Sequence, residues 1–209
     1  MLFPIIALAV TLAPAAAPPT SLHLVTRTVR DSAFWRSQTN KPFVATTETW
    51  IQGGKLRQQD KVPAVGRVPA SDSLRIIDGR RLAVFATRQP QKSLVTHTLP
   101  EQSRQAGLAQ RVREYLMPKA LGKRVGSARL LGHRTGIFEL RGPGRLDISR
   151  TWVAEDLGVP LPLRVERNEA DSSTLREVTR LDVNQPLRQD LFQAPREQPR
   201  TRRSRTRRR

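Results

Sequence analysis

The 209-residue chain contains no cysteine. That excludes disulfides, thiol nucleophiles, cysteine-based metal sites and an N-terminal cysteine that could carry lipid. Aromatic residues are few: six Phe, three Trp and one Tyr. Acids are also sparse, 18 Asp and Glu against 37 Lys and Arg, and the formal net charge is +19. Among the bases only six are Lys. No apolar run approaches the ~20 residues that a membrane-spanning helix needs. The acids are scattered and offer no evident pair for acid–base work. The three histidines, His23, His97 and His133, are remote from one another and have no acid at ligand or dyad spacing. No Gly-x-Ser-x-Gly, His-Glu-x-x-His or helix-opening Gly-x-Gly-x-x-Gly occurs, so the common hydrolase, zinc-protease and dinucleotide signatures are missing. "RGPGR" has Gly-x-Gly, but a proline sits between the glycines and strand-like segments flank it, which makes it a turn. Nothing in these residues calls for a metal or another cofactor, and a non-enzymatic role is expected.

What is present divides into three parts. Residues 1–17, "MLFPIIALAVTLAPAAA", hold an apolar run from Leu2 to Leu12 followed by an A-x-A-like region. That pattern reads as a secretory signal better than as an anchor, so an exported protein is expected. Residues 196–209, "REQPRTRRSRTRRR", hold eight Arg and one Glu. A segment with no apolar residue cannot build a core and is expected to be disordered. Its arginines, with Arg202, Arg203, Arg205, Arg207, Arg208 and Arg209 densest, would bind polyanions by counterion release. For an exported chain the polyanion is an anionic membrane surface or cell-wall polymer, with nucleic acid the alternative.

The region between is written in period two. "FVATTETWI" and "KLRQQDKV" flank Gly53-Gly54, and "LRII" and "RLAVFAT" flank Asp78-Gly79; both read as β-hairpins. After Pro100 the period changes. "EQSRQAGLAQRVREYLM" spaces Leu108, Val112, Tyr115 and Leu116 as one helical stripe, and Pro118 ends it. Strands then resume. In "TWVAEDLGVPLPLRVER" an alternating run meets two acids and then a corner stiffened by Pro160 and Pro162, before another alternating run leaves it. Proline cannot donate to a β ladder, so pairing is expected to end at that corner. The prediction is an all-β protein: a large, curled antiparallel sheet of nine or ten strands with one accessory helix laid on it.

From here the ordered motifs resemble a known family. Trp152, Glu155-Asp156, Gly158, Pro162-Leu163-Arg164-Val165, then "LDVNQPL" and "LFQAP", resemble the C-terminal third of LolA-like proteins. This family comprises lipoprotein carriers, lipoprotein-sorting proteins and the lipid-sensing half of RseB. "RLLGHRTGIFELRG" and "RIIDGRRLAVF" resemble its aromatic strand and its Asp-Gly hairpin, and the likeness covers residues 22–195. The resemblance implies a half-barrel around an apolar cavity, with a helix lid, that takes a lipid or an acylated protein as a monomer in the periplasm or cell envelope. An RseB-like sensor acting through protein contacts is the implied alternative. Candidate cavity and lid residues are Trp152, Tyr115, Trp50, Phe85, Phe138 and Leu116.

Two outcomes follow from the termini. The mature protein is expected to begin just after Ala15 to Ala17 outside the cytoplasm; bulk cytosolic protein with intact Met1, found by N-terminal sequencing, would contradict export. A chain ending at Pro195 should melt at the wild-type temperature yet lose most salt-sensitive binding to anionic vesicles; equal binding by both would move the basic surface into the fold.

Overall fold

A computed structural model describes residues 17–78, 81–88, 91–143 and 147–194. Eleven strands form one antiparallel sheet: β1 Ser21–Ser32, β2 Phe43–Gln52, β3 Lys55–Val62, β4 Ser71–Ile77, β5 Arg81–Arg88, β6 Gln91–Thr98, β7 Lys123–Leu130, β8 His133–Arg141, β9 Ile148–Ala154, β10 Leu161–Glu169 and β11 Ser172–Val183. Their order is β6-β5-β4-β3-β2-β1-β11-β10-β9-β8-β7. The sheet is therefore two meanders joined at its centre, where the first strand pairs with the last. β6 and β7 stay unjoined at the edges, so the curl is a half-barrel and not a closed barrel.

One face carries the main core. Leu22 and Leu24 of β1, Ile51 of β2, Leu56 of β3 and Ile77 of β4 are all but inaccessible. Leu22, Ile51, Leu56 and Ile77 stand opposite one another across consecutive strands, which aligns their side chains into one apolar row. The helical segment covers that row. It is not the single helix that the stripe predicts. It is α2 Glu101–Arg104 and α3 Leu108–Tyr115, separated at Gln105–Gly107. Gly107 is extended and caps α3. Leu108 and Val112 of α3 join the core, with Tyr115 and Leu116 packed against it.

The lid is held by a buried cation. Arg111 of α3 is 0% exposed. Its Nε donates to the Gly54 carbonyl at 2.8 Å, its Nη2 to the Ser103 carbonyl and its Nη1 to Glu114 at 2.9 Å. A side chain at Gly54 would place Cβ 2.4 Å from the Ala106 carbonyl oxygen. The second glycine of the Gly53-Gly54 turn thus makes room for the lid, while Gly53, at φ 53°, supplies the left-handed turn geometry.

A third helix, not expected from the sequence, fills the β1–β2 connection: α1 Ala33–Thr39. The Ser32 hydroxyl accepts from the Trp35 N–H, and Asn40 closes the end at φ 57°. Trp35 stacks on Phe43 with ring centroids 4.4 Å apart. A short 3₁₀ turn, η1 Gln189–Phe192, lies on the opposite face, where Arg57 of β3 donates to the Leu191 carbonyl at 3.0 Å. Phe192 is 2% exposed there, with the Lys55 ammonium 6.0 Å from its ring centre. Phe192 of the "LFQAP" motif is thus a buried plug on the back of the sheet.

Arg111→Ala strips donors from two carbonyls under the lid. Each buried acceptor left unpaired costs about 1–3 kcal/mol, so urea melts are expected to show a loss of about 2 kcal/mol or more. A loss within experimental error would mean that the lid is held by its leucines and valine alone.

Candidate functional site

Strand register decides which side chains meet under the lid. On the lid face Leu24 pairs with Thr49, Thr49 with Gln58, and Thr26 with Thr47. These side chains, with Leu116, Pro162, Leu163, Arg176 and Val178, enclose a cavity of about 40 Å³. That is room for about one water, whose share of liquid volume is ≈ 30 Å³. The Thr49 hydroxyl is buried there with no protein partner. The space directly below the lid is small and partly polar.

A much larger open groove, about 810 Å³, begins where the lid ends. Its walls include Pro118, Lys119 and Ala120 after α3, Leu140 of β8, Ser149 of β9 and Arg167 of β10. Ser149 stands between Leu140 and Arg167 in the register, so the three share the lid face. The volume lies within the roughly 300–1,000 Å³ of small-molecule sites.

The corner over this half of the sheet follows from its sequence. β10 pairs with β9 from Leu161 but with β11 only from Arg164. Pro162 therefore sits where one neighbour is absent, and the corner does not end pairing altogether. Register shifts between Pro162 and Arg164, leaving Leu163 unpaired. That bulge lets Pro162 and Leu163 both border the small cavity. Leu157 and Val159 anchor the corner in the core, and Gly158 turns it at φ 68°. Asp156 accepts from the Arg134 N–H at 2.9 Å and lies 3.2 Å from His133 Nδ1. Burial alone would raise its pKa, but those donors and the His133 charge together hold it below the ordinary carboxylate value.

The sequence candidates separate by face. Tyr115 and Leu116 lie at the lid, Tyr115 with the Arg75 guanidinium 5.7 Å from its ring centre. Phe138 is opposite Thr151 and shares its lid-side row with Val165 and Arg176. Trp152 does not. It is paired with Arg164, which is paired with Glu177, on the back of the sheet, and the Arg164 guanidinium sits 5.1 Å from its ring centre. The more apolar side of β9 points away from the lid, and Thr151 and Ser149 point toward it. Trp50 is also on the back, stacked on His23 at 5.2 Å with Arg57 over its ring. Phe85 pairs with Leu74 and Leu94 along the backbone, and its side chain lies outside the described residues. So do residues 202–209 with their arginines, and residues 1–16.

Folding supplies what spacing did not for His23. Its Nδ1 is 2.9 Å from Asp182 and its Nε2 2.9 Å from Glu48, acids 159 and 25 residues away. Burial would raise Asp182, but His23 and Arg180 outweigh it and hold its carboxyl below the usual range. This cluster sits against Trp50 on the back of the sheet, away from the lid-face groove. Among the described residues no three His, Asp or Glu side chains are placed to hold a metal ion, and no helix is long and apolar enough to cross a membrane.

No family model matches the chain, and no curated protein does. Its likenesses are to solved structures. The MucA/MucB complex of Pseudomonas aeruginosa superposes with a TM-score of 0.46 at 16% identity, covering 84% of this chain and 56% of that one. A lipoprotein-sorting protein domain from Vibrio parahaemolyticus gives 0.36 at 9%, covering 82% and 88%. LprF from Mycobacterium bovis gives 0.37 at 13%, covering 81% and 88%. The chain spans little more than half the length of the MucB chain it matches.

Both depressed carboxyls contribute stability that is full above the ordinary Asp value, about 3.9, and lost as pH falls through their lower folded values. Thermal melts between pH 6 and 2.5 should therefore show Asp156→Asn and Asp182→Asn closing on the wild type as pH drops. A constant gap across that range would mean that the carboxylate charge contributes nothing.

Proposed function

We propose that this protein is a binder of a lipid or acylated ligand, carrier or sensor, that takes the apolar chain on the lid face of its half-barrel and not in a preformed closed cavity. The observation that supports this reading is the pairing of a nearly filled space below α3 with an open groove of about 810 Å³ running on from it. A chain of methylenes gains about 0.8 kcal/mol for each CH₂ removed from water. The groove offers Leu140 and Pro118 as apolar lining, with Tyr115 and Leu116 packed at the lid and Phe138 further along the same face. A longer chain would enter beneath α3 only if Arg111 released the Gly54 carbonyl. In this reading the lid residues gate entry, the protein needs no cofactor, and it works in the periplasm or cell envelope as a monomer. The resemblance of the C-terminal motifs to lipoprotein carriers supports the same reading.

The test is a titration with a fluorescent acyl probe. Leu140→Asp, which puts a charge into the groove, and Tyr115→Ala are each expected to weaken uptake at least about tenfold, or ~1.4 kcal/mol. Trp152→Ala, on the back, should leave uptake unchanged. Loss of uptake with Trp152→Ala alone would place the ligand on the other face; no uptake by the wild type would move the reading to a sensor working through protein contacts.

A further inference from the structure

Charge is sorted across the sheet. On the back face of the central strands every acid has a basic partner: Glu177 with Arg27, Glu166 with Arg164, Glu139 with Arg141 and Arg150, Asp182 with Arg180 and His23, and Glu48 with His23. The lid face beyond the helix is different. Arg30 of β1 and Arg167 of β10 both stand opposite Thr174 of β11, one from each side, in the register. Strands lie ≈ 4.7–4.9 Å apart, so these two residues flank Thr174 at about 10 Å from each other. Arg176 is two residues along the same strand and on the same face. It is the diagonal neighbour of both.

None of the three has a carboxylate within ion-pair distance among the described residues. Arg176 has one hydrogen bond, to the Leu116 carbonyl at 2.8 Å, and Arg30 and Arg167 have none. Burial first, and then the charge of Arg167, press the Arg176 guanidinium below its ordinary pKa. Like charges packed this way repel, and no described carboxylate lies within ion-pair distance to offset them. The acids that border the groove, Asp147, Glu169 and Asp171, lie at the hairpin ends and not between the arginines.

We propose that Arg30, Arg167 and Arg176, arranged around Thr174, form the binding site for the anionic headgroup, phosphate or carboxylate, of an amphiphile whose apolar chain lies in the adjoining groove. Guanidinium groups suit this task because their planar fork meets two oxygens of a phosphate or carboxylate at once. The Thr174 hydroxyl adds a donor at the centre. Arg167 lines the groove itself, so headgroup and chain sites are continuous. Arg176 already bonds the residue that ends the lid helix, so an anion drawing it away would loosen the lid at the moment of binding. This inference rests on the lid-face reading above and names its ligand class.

Single-chain lipids sharing one acyl chain decide it, titrated against the full chain at low and moderate salt. The heads compared are phosphatidic acid, phosphoglycerol and phosphocholine, with inorganic phosphate as competitor. The anionic heads are expected to bind at least about tenfold tighter than the zwitterionic one, with an advantage that shrinks as salt rises. Arg30→Gln with Arg167→Gln should erase that preference while keeping phosphocholine affinity. These two side chains make no bond in the described structure, so the pair should fold. Arg176→Gln serves as the second variant. Competition by inorganic phosphate alone would mark the headgroup and not the chain as the source of the preference. Equal affinity for all three heads, or a preference that survives in the double variant, overturns the headgroup site and leaves the lipid reading standing. Binding of none of the lipids overturns both.

Discussion

The position of one buried guanidinium governs the lid side of this protein. Arg111 reaches from α3 to the Gly54 carbonyl at the β2–β3 turn and to the Ser103 carbonyl at the end of α2. A charge fully removed from water is tolerated only when its donors are occupied. Here two carbonyls and Glu114 occupy them, and the same three bonds fix where the helix lies. The close approach of Ala106 to Gly54 follows from that placement. So does the small volume under the lid, because Leu108 and Val112 are carried down onto Leu22, Ile51 and Leu56. The space left for a ligand is accordingly at the end of the helix and not beneath it.

The sheet itself is a continuous antiparallel ladder in which chemistry changes by face and by distance from the lid. Near α3 the lid face is aliphatic. Further down it turns to threonine, glutamine and arginine, while the back face is a lattice of ion pairs around His23, Trp50 and Trp152. Ion pairs near a surface contribute little each. Their consequence is a division of labour on the central strands: the back-face acids named above are paired with bases, while Arg30, Arg167 and Arg176 have no described carboxylate within ion-pair distance on the side where the groove opens. The open edge at β7 is blunted by Lys123, Arg124 and a register shift before Gly126, devices that keep a sheet edge from pairing with another chain.

The strands were readable because period-two alternation and Gly or Pro punctuation are local signals. Gly53-Gly54 marked its hairpin, although the second glycine turned out to answer to the lid. The helix was readable as a stripe but not as two pieces, because the break at Gln105–Gly107 depends on the sheet surface that Arg111 finds. α1 was missed although Ser32 and Asn40 are sound capping signals; seven residues carry too little periodicity to stand out against two flanking strands. Trp152 shows the limit most clearly. Alternation said that it shares a face with Ile148, but not whether that face meets the helix or the solvent.

By itself, then, the sequence determined an all-β architecture, its hairpins, one lid segment and a proline-stiffened corner, since each of these is written within a dozen residues. Tertiary structure alone decided the pairing of first strand with last, the acids that come to His23, the face on which each tryptophan lies and the three arginines around Thr174. Those are matters of register between segments up to about 160 residues apart. In a period-two strand a shift of one residue exchanges the two faces, so no local pattern can settle them.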